Sequence, residues 1–259
     1  MSGDEGKNIF SVSGKVAVVT GASGAFGRAF SRALAANGAD IALFDIVEPP
    51  AEALAEIEAL GRRAVAVTCN VMDRDSVQAA SDQVVQKLGK VDILVNNAGI
   101  TITKRAEELT DGDWNKVIGV DLKGVFNCSV VVGNQMIAQK TGGKIINIAS
   151  VLGLVGDKQV LPYCVAKGGV IQMTRALGLE WARYDIRVNA ICPGYIKTPL
   201  NEADLTGNEK IYNNIISKTT MRRLGEVDEL LGALLLLASD ASSYMTGQYV
   251  AIDGGYTAA

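Results

Sequence analysis

The sequence predicts an α/β fold in which helices cover both faces of a parallel sheet. Short apolar runs rich in β-branched residues alternate with longer segments of helical periodicity, an order typical of βαβ units. The runs are apolar throughout rather than at every second position, which indicates strands that are buried on both faces. No repeat, low-complexity run or linker divides the 259 residues. We therefore expect a single domain at 13–259 that follows a polar extension at 1–12.

The predicted elements describe a doubly wound sheet of about seven strands. Strands are expected at Val16–Thr20, Ile41–Asp45, Ala64–Cys69, Ile93–Asn96, Lys144–Ala149, Arg187–Ile191 and Tyr249–Ile252. Helices are expected at Gly27–Asn37, Pro50–Leu60, Asp73–Leu88, Asp111–Gln139, Pro162–Tyr184 and Glu226–Leu237. Glycine follows three of these helices, at Gly38, Gly61 and Gly89, where a left-handed helix cap favours it.

The composition excludes several classes of chemistry and partner. The sequence contains no histidine, which excludes Ser-His-Asp hydrolysis, His-ligated zinc and histidine acid-base catalysis. A formal net charge of −3 gives no reason to expect nucleic acid or an anionic membrane as a partner. The four cysteines are scattered, so we expect buried, reduced thiols and no metal site. With a polar N-terminus and no predicted membrane span, we expect a soluble cytoplasmic protein.

A glycine-rich turn joins the first predicted strand to the first predicted helix. Residues 20–27 read Thr-Gly-Ala-Ser-Gly-Ala-Phe-Gly. Glycines in such a turn let backbone N–H groups approach a pyrophosphate at the positive N-terminus of the helix. The turn predicts a Rossmann-type, dinucleotide-binding fold, with contacts to the cofactor from Gly21, Ser23, Gly24, Ala25 and Phe26.

An acidic residue ends the second predicted strand, where the adenosine ribose of a dinucleotide would lie. Asp45 comes 24 residues after Gly21. Its carboxylate can accept hydrogen bonds from the ribose hydroxyls and would repel a 2′-phosphate. No Lys or Arg occupies residues 20–27 or the positions directly after Asp45. The pattern predicts NAD rather than NADP as the cofactor, with Ile46 beside Asp45 at the same site.

Three polar side chains gather near the carboxyl end of the fifth predicted strand. Ser150 directly follows that strand, Tyr163 comes 13 residues later, and Lys167 comes four residues after Tyr163. Residues four apart share one helix face, so Tyr163 and Lys167 can meet. Ligands of open α/β sheets bind at the carboxyl ends of strands. A phenol beside an ammonium group can therefore exchange a proton with a ligand there, without a metal or a histidine.

Together these motifs resemble the short-chain dehydrogenase/reductase family from about Ser13 to the C-terminus. The resemblance extends to Asn96–Gly99 and to Pro193–Thr198. It implies that Ser150 holds the substrate oxygen, that Tyr163 is the acid-base, and that Lys167 holds the nicotinamide ribose. In addition to the turn, Asp45 and Ile46, the resemblance implies that the following residues contact the cofactor: Asn70, Val71, Asn97, Ala98, Gly99, Tyr163, Lys167, Pro193, Gly194, Ile196 and Thr198.

Three positions depart from the family pattern. Asn70-Val71 stands where an Asp-Val pair usually contacts the adenine, and the Asn70 side-chain oxygen can still accept a hydrogen bond from the adenine amine. Ala25 stands where the middle glycine of the turn is expected, which predicts an altered turn geometry with cofactor binding retained. Asp121 stands where the family usually carries an asparagine that is often counted as a fourth catalytic residue. The main-chain carbonyl survives this replacement, and the carboxylate can accept a backbone N–H. A carboxylate here can also act electrostatically on Lys167 if the two lie close together, a distance that the sequence does not show. We hypothesise that Asp121 is a positional stand-in whose charge is not needed for the chemical step.

The resemblance implies hydride transfer between a secondary alcohol and a ketone. The pocket is expected from Ile100–Arg105, Val151–Leu161 and Tyr195–Thr219. The last segment lacks Trp and Phe and is rich in polar residues, which favours a polyol, sugar or sugar acid; these residues are Asn201, Glu202, Asp204, Asn208, Asn213 and Asn214. Reduction of a 3-oxoacyl or hydroxysteroid substrate, a non-catalytic NAD-binding regulator or scaffold, and an epimerase or dehydratase are the alternatives.

The C-terminal part of the chain also bears on assembly. Ser243–Gln248 and Asp253–Tyr256 resemble the segments that build the tetramer of this family. Ala233–Ala238 offers either apolar surface for assembly or a helix buried inside the subunit. We expect a homotetramer that acts on a small alcohol or ketone and has no nucleic-acid or membrane partner.

Overall fold

A computed structural model describes residues 8–198 and 209–258, and in this part of the chain a single parallel sheet organises the fold. Its order is β3-β2-β1-β4-β5-β6-β7, and each pair of neighbours is parallel. The strands are β1 Val16–Thr20, β2 Asp40–Asp45, β3 Ala64–Thr68, β4 Ile93–Asn96, β5 Gly143–Ile148, β6 Ile186–Pro193 and β7 Tyr249–Ile252. The predicted fold class is confirmed, and each predicted strand is present with its ends shifted by at most two residues.

Helices lie on both faces of this sheet. They are α1 Ala25–Ala36, α2 Ala51–Ala59, α3 Arg74–Leu88, α4 Asp111–Ile118, α5 Val125–Gln139, α6 Leu161–Trp181, α7 Glu209–Lys218 and α8 Leu231–Ala238. The predicted helix at Glu226–Leu237 was wrong at its start, since Val227–Leu230 forms a 3-10 turn before α8. Helix α7 was not predicted, because its polar sequence was interpreted as the wall of a pocket.

The predicted helix at Asp111–Gln139 is interrupted. Between α4 and α5, Gly119–Gly124 forms a π-helical turn. Glycines at both ends allow a close approach of the chain that follows β3: a Cβ on Gly119 would lie 2.5 Å from Met72 Cε, and one on Gly124 would lie 2.7 Å from Val71 Cγ2. The wider turn carries Asp121, which is fully buried.

Two apolar clusters cover the two faces of the sheet. On one face Phe30 and Leu34 of α1 pack with Leu234 and Leu237 of α8. On the other face α3, α5 and α6 pack against the strands, with Trp181 at the end of α6. Burying each large apolar side chain contributes about 1.5–3 kcal/mol. Of the two interpretations of Ala233–Ala238, the structure supports the helix buried inside the subunit.

Other composition-based expectations can be compared with the described residues. Cys69, Cys128 and Cys192 are buried, whereas Cys164 is only partly buried and departs from the expectation. The described residues contain no group of three or more potential ligand side chains placed to hold a metal. The helical run Asp111–Gln139 is long and apolar enough to cross a membrane, but 61% of its most apolar stretch is buried inside the subunit, as in a core helix.

Candidate functional site

The glycine-rich turn lies at the carboxyl end of β1, where the strand order reverses between β1 and β4. Gly21 has a positive φ of 63°, and a Cβ at that position would lie 2.8 Å from Ala98 Cα. A Cβ on Gly27 would lie 2.2 Å from the Gly21 carbonyl oxygen. Both positions therefore require glycine. The open crevice at such a reversal is where dinucleotides bind in doubly wound sheets.

The turn leads directly into α1. Gly24 caps this helix and Ala25 is its first residue, so the replacement of the expected glycine leaves a regular helix start. Phe26 contacts Phe30, with ring centroids 5.8 Å apart, and packs against the core. Only the main chain at Phe26 is therefore placed to contact a phosphate. The free N–H groups of the helix start and its dipole favour an anion at this point.

Asp45 is held at the carboxyl end of β2, next to the turn. Its Oδ2 accepts a hydrogen bond from the Ser23 N–H at 2.9 Å, and its Oδ1 accepts a longer one from the Val47 N–H at 3.4 Å. A carboxylate can accept further hydrogen bonds beyond these two. Ile46 is 67% exposed and lies at the rim. The turn and the acid are thus joined as a dinucleotide site requires.

Thr20 connects the turn to the segment that follows β4. Its Oγ1 accepts hydrogen bonds from the N–H groups of Asn97 and Ala98, both at 3.0 Å. The Asn97 side-chain amide donates to the carbonyl oxygens of Thr20 at 2.9 Å and Gly21 at 3.1 Å. The side chain of Asn97 therefore stabilises the turn, and a cofactor contact from this residue would come from its main chain.

The predicted adenine contacts lie just after β3. The Asn70 side-chain oxygen accepts a hydrogen bond from the Met72 N–H at 3.1 Å and keeps a second lone pair for a ligand. Val71 is buried, and its carbonyl oxygen accepts a hydrogen bond from Asn127 at 2.9 Å. These bonds hold the segment in place at the carboxyl end of the strand.

Ser150, Tyr163 and Lys167 lie where β5 ends and α6 begins. Ser150 is buried, and its Oγ accepts a hydrogen bond from the Leu152 N–H at 3.1 Å, which leaves the hydroxyl proton for another acceptor. Lys167 Nζ lies 5.3 Å from the centroid of the Tyr163 ring. It also donates to the Ile148 carbonyl oxygen at 3.0 Å. The predicted proximity of Tyr163 and Lys167 is present.

Asp121 faces the same lysine from the π-helical turn. Its Oδ2 lies 3.2 Å from Lys167 Nζ, and its Oδ1 accepts a hydrogen bond from the Ile100 N–H at 2.8 Å. A Cβ on Gly99 would lie 3.0 Å from Asp121 Oδ2 and 3.4 Å from Lys167 Nζ, so this glycine leaves the pair uncrowded. The carboxylate accepts a backbone N–H, as the stand-in hypothesis requires, but it also forms a buried ion pair.

The segment that follows β6 packs against the chain after β7. Pro193 ends that strand, and a Cβ on Gly194 would lie 2.7 Å from Asp253 Cα, so glycine permits close packing against the chain after β7. Ile196 is buried and bridges to Gly225. Thr198 is half-buried and is the last residue described before 209.

The segments predicted to line a pocket do meet. The Tyr195 hydroxyl donates to Asp157 Oδ2 at 2.6 Å, and the Lys104 N–H donates to the Gln159 carbonyl oxygen at 2.8 Å. Burial and the neighbouring Asp157 raise the pKa of Tyr195, so its phenol stays protonated. The predicted substrate contacts Asn201, Glu202, Asp204 and Asn208 lie outside the described residues; Asn213 and Asn214 are exposed on α7.

Comparison with known proteins identifies the family. The model of the family described as enoyl-(acyl carrier protein) reductase matches residues 21–257. The chain belongs to the short-chain dehydrogenase/reductase family. The predicted resemblance is therefore confirmed, and the chain is an oxidoreductase that uses a nicotinamide dinucleotide. The turn described above fits this cofactor, because its glycines leave the space that a Cβ would fill.

Relatives within the family span nearly the whole chain. The 2-dehydro-3-deoxy-D-gluconate 5-dehydrogenase of Escherichia coli is 41% identical over 96% of this chain and 98% of its own. The 3-oxoacyl-[acyl-carrier-protein] reductase of Thermotoga maritima is 41% identical over 93% of this chain and 97% of its own. The NAD-dependent glycerol dehydrogenase of Listeria innocua is 34% identical over 96% of both chains.

A solved structure shows the same fold. The gluconate 5-dehydrogenase from Burkholderia cenocepacia, in complex with NADP and tartrate, superposes with a TM-score of 0.91 at 36% identity and covers 97% of this chain and 98% of its own. The comparisons thus support a dehydrogenase related to enzymes of sugar acids and polyols. They include both NAD and NADP among the named cofactors.

Three contacts at the site were not predicted from the sequence. The Ile100 N–H that holds Asp121, the Ile148 carbonyl that holds Lys167, and the bond between Asp157 and Tyr195 were not predicted. The first two are main-chain groups, which any residue type supplies, so no sequence signal marks them. Asp157 and Tyr195 were both assigned to pocket segments, but nothing in their spacing indicates that they pair.

Proposed function

We propose that the protein is an NAD-dependent dehydrogenase that interconverts a secondary alcohol and a ketone, with a polyol, sugar or sugar acid as substrate. The observation that carries the proposal is the arrangement of Ser150, Tyr163 and Lys167 at the carboxyl end of β5, with the ammonium 5.3 Å from the phenol ring. This edge of the sheet also carries the glycine-rich turn and Asp45. A bound nicotinamide ring supplies hydride transfer to or from the substrate carbon.

Residues of the chain itself transfer the proton. The Ser150 hydroxyl donates a hydrogen bond to the substrate oxygen and directs it toward Tyr163. The Tyr163 phenolate removes the alcohol proton as the carbon is oxidised, and the phenol returns it in reduction. The nearby Lys167 ammonium favours the phenolate electrostatically. One of its three N–H groups donates to Ile148 and another faces Asp121, which leaves a third for a ribose hydroxyl.

Asp45 supports the choice of NAD. Its carboxylate faces the turn that would hold the adenosine side of the cofactor, and it would repel the 2′-phosphate of NADP. The glycerol dehydrogenase that resembles this chain is NAD-dependent, whereas the gluconate 5-dehydrogenase structure contains NADP. We therefore base the NAD assignment on this carboxylate and not on the relatives.

Assembly and location belong to the same proposal. Large apolar side chains are exposed on α5, α6 and the C-terminal segment, namely Phe126, Val165, Leu179 and Tyr244. Tyr244 lies in Ser243–Gln248, which resembles a segment that builds the tetramer of this family, and we propose that a homotetramer in the cytoplasm covers these side chains. Light scattering gives the mass of the particle; a monomeric mass contradicts the tetramer.

A substrate panel tests the activity. The purified chain is incubated with NAD and polyols, sugar acids and diols, and with NADH and the matching ketones, and the absorbance of reduced nicotinamide is followed. A 3-oxoacyl thioester is included because a reductase of that class is 41% identical to this chain. We expect turnover with hydroxylated substrates, which Tyr163→Phe lowers by at least ~10² and the exposed control Tyr184→Phe retains. Cofactor binding without turnover across the panel indicates a scaffold instead.

A further inference from the structure

The buried pair formed by Asp121 and Lys167 distinguishes this site from one with a neutral asparagine at position 121. Both side chains are removed from solvent, with 0% of the Asp121 side chain and 4% of the Lys167 side chain exposed. Asp121 Oδ2 has no hydrogen-bond partner of good geometry among the described residues, and the ammonium 3.2 Å away balances its charge. Ile100 anchors the other carboxylate oxygen, so the carboxylate cannot turn away without losing a backbone bond.

A buried lysine depends on such a neighbour to stay charged. Removal from water disfavours the ammonium and lowers the pKa of a lysine, whereas a nearby carboxylate raises it. For Lys167, burial lowers the pKa, and its negative or polar neighbours, of which Asp121 contributes most, raise it overall. Burial also raises the pKa of Asp121, and the Lys167 ammonium lowers it.

Other groups that face the Lys167 ammonium cannot replace this carboxylate. Tyr163 approaches from the same helix and also raises the pKa of Lys167, but in the proposed reaction it carries a charge only while its phenol is deprotonated. The Ile148 carbonyl from β5 is uncharged. Cys192 approaches from β6, but burial raises the pKa of its thiol to about 12, so it is neutral in the range where enzymes work. Among the described residues, Asp121 is the one carboxylate paired with Lys167.

We propose that Asp121 is a positioning residue that keeps Lys167 in its ammonium form and thereby sets the alkaline end of the pH range in which the site transfers protons. The inference rests on the proposed roles of Tyr163 and Lys167. It refines the stand-in hypothesis: the carboxylate is not required for the chemical step at the optimum pH, but its charge determines how far the activity extends toward high pH.

The pH profile of Asp121→Asn tests this. Asparagine keeps an oxygen for the Ile100 N–H but removes the charge, so burial alone acts on Lys167. We expect the alkaline limb of kcat/KM to move to lower pH by about 1 unit or more. The matched control is Asp82→Asn, which removes one exposed carboxylate on α3 that accepts a hydrogen bond from Gln78. Its profile should coincide with that of the unmodified protein.

A titration that needs no substrate separates this inference from the proposed function. Lysines labelled with ¹³C at Cε are followed by NMR, and the Lys167 signal is identified by its loss in Lys167→Arg. We expect it to titrate at lower pH in Asp121→Asn than in the unmodified protein. If the asparagine variant does not fold, Asp121→Ser, which is neutral and smaller, is titrated in its place.

The two readouts have clear outcomes. An unchanged Lys167 titration, or one displaced to higher pH, overturns the inference even if the protein is an active dehydrogenase. A displaced titration in a protein with no turnover supports the ion pair and contradicts the proposed function. A displaced titration together with an unmoved pH profile overturns the link to catalysis, because a purely structural pair would give that result.

Discussion

Replacement of Asp45 gives a direct test of the cofactor assignment. Asp45→Ala removes both carboxylate oxygens, and Asp45→Asn removes the charge but keeps one acceptor. In the structure Asp45 Oδ2 accepts the Ser23 N–H at 2.9 Å, so the alanine replacement also loosens the glycine-rich turn. Because both cofactors use that turn, its loosening affects them equally. The ratio of kcat/KM for NAD to that for NADP therefore isolates the interaction with the ribose.

The magnitude follows from the chemistry of a single carboxylate. A hydrogen bond to a charged group contributes about 1.5–3 kcal/mol. Together with repulsion of the 2′-phosphate, we expect a total of about 3 kcal/mol, which is a preference for NAD of ~10² or more. Asp45→Ala should bring the ratio close to unity while NADH is still used, and Asp45→Asn should lie between the two.

Steady-state kinetics with both cofactors provides the ratio, and Asp82→Asn controls for the loss of a carboxylate far from the turn. Fluorescence titration of NADH and NADPH gives the dissociation constants independently of turnover. Equal efficiency of the unmodified protein with NAD and NADP would refute the reasoning. So would a preference for NAD that persists in Asp45→Ala, since the discrimination would then come from other residues.

Three further replacements address the interior of the site and the contact between Tyr195 and Asp157. Asp121→Asn should change kcat/KM at the optimum pH by less than about tenfold; a hundredfold loss with folding intact would mean that the carboxylate takes part directly. Asp121→Leu leaves Lys167 buried and unpaired. The free energy of unfolding of this variant in urea should therefore be about 3–5 kcal/mol lower than that of the unmodified protein. An unchanged value contradicts the ion pair. Tyr195→Phe removes the bond to Asp157 and should raise KM for the substrate several-fold more than it lowers kcat, because the pocket segments lose a contact while the proton-transferring groups stay in place. Unchanged kinetics would show that this contact does not shape the pocket.

The sequence predicted the fold well because the signals that carry it are local. Each buried strand is a short run of apolar residues, and Gly38, Gly61 and Gly89 do have the positive φ of helix caps. The same holds for the turn at Gly21, where the close approach to Ala98 demands glycine. Local periodicity and glycine chemistry are enough to predict these elements and a parallel sheet.

The parts that were missed depend on contacts between distant segments. The apolar pattern of 111–139 continues across Gly119–Gly124, so periodicity alone predicts one helix, and the π-helical turn reflects packing against Met72 and Val71. The sequence leaves open whether Asp121 lies near Lys167, because the two residues of this ion pair are 46 positions apart. Their distance follows from how the π-helical turn packs on α6, which residue types do not specify.

Tyr163→Phe tests the central claim, that a phenol at the carboxyl end of β5 transfers the proton during alcohol oxidation. The replacement removes one oxygen and leaves the glycine-rich turn, Asp45 and Lys167 in place. NADH binding, followed by fluorescence, should be retained, and kcat on the best substrate of the panel should fall by at least ~10². The control Tyr184→Phe, at an exposed tyrosine beyond the end of α6, should keep full activity. Normal turnover by Tyr163→Phe would contradict the account, because the proton would then be transferred by another group.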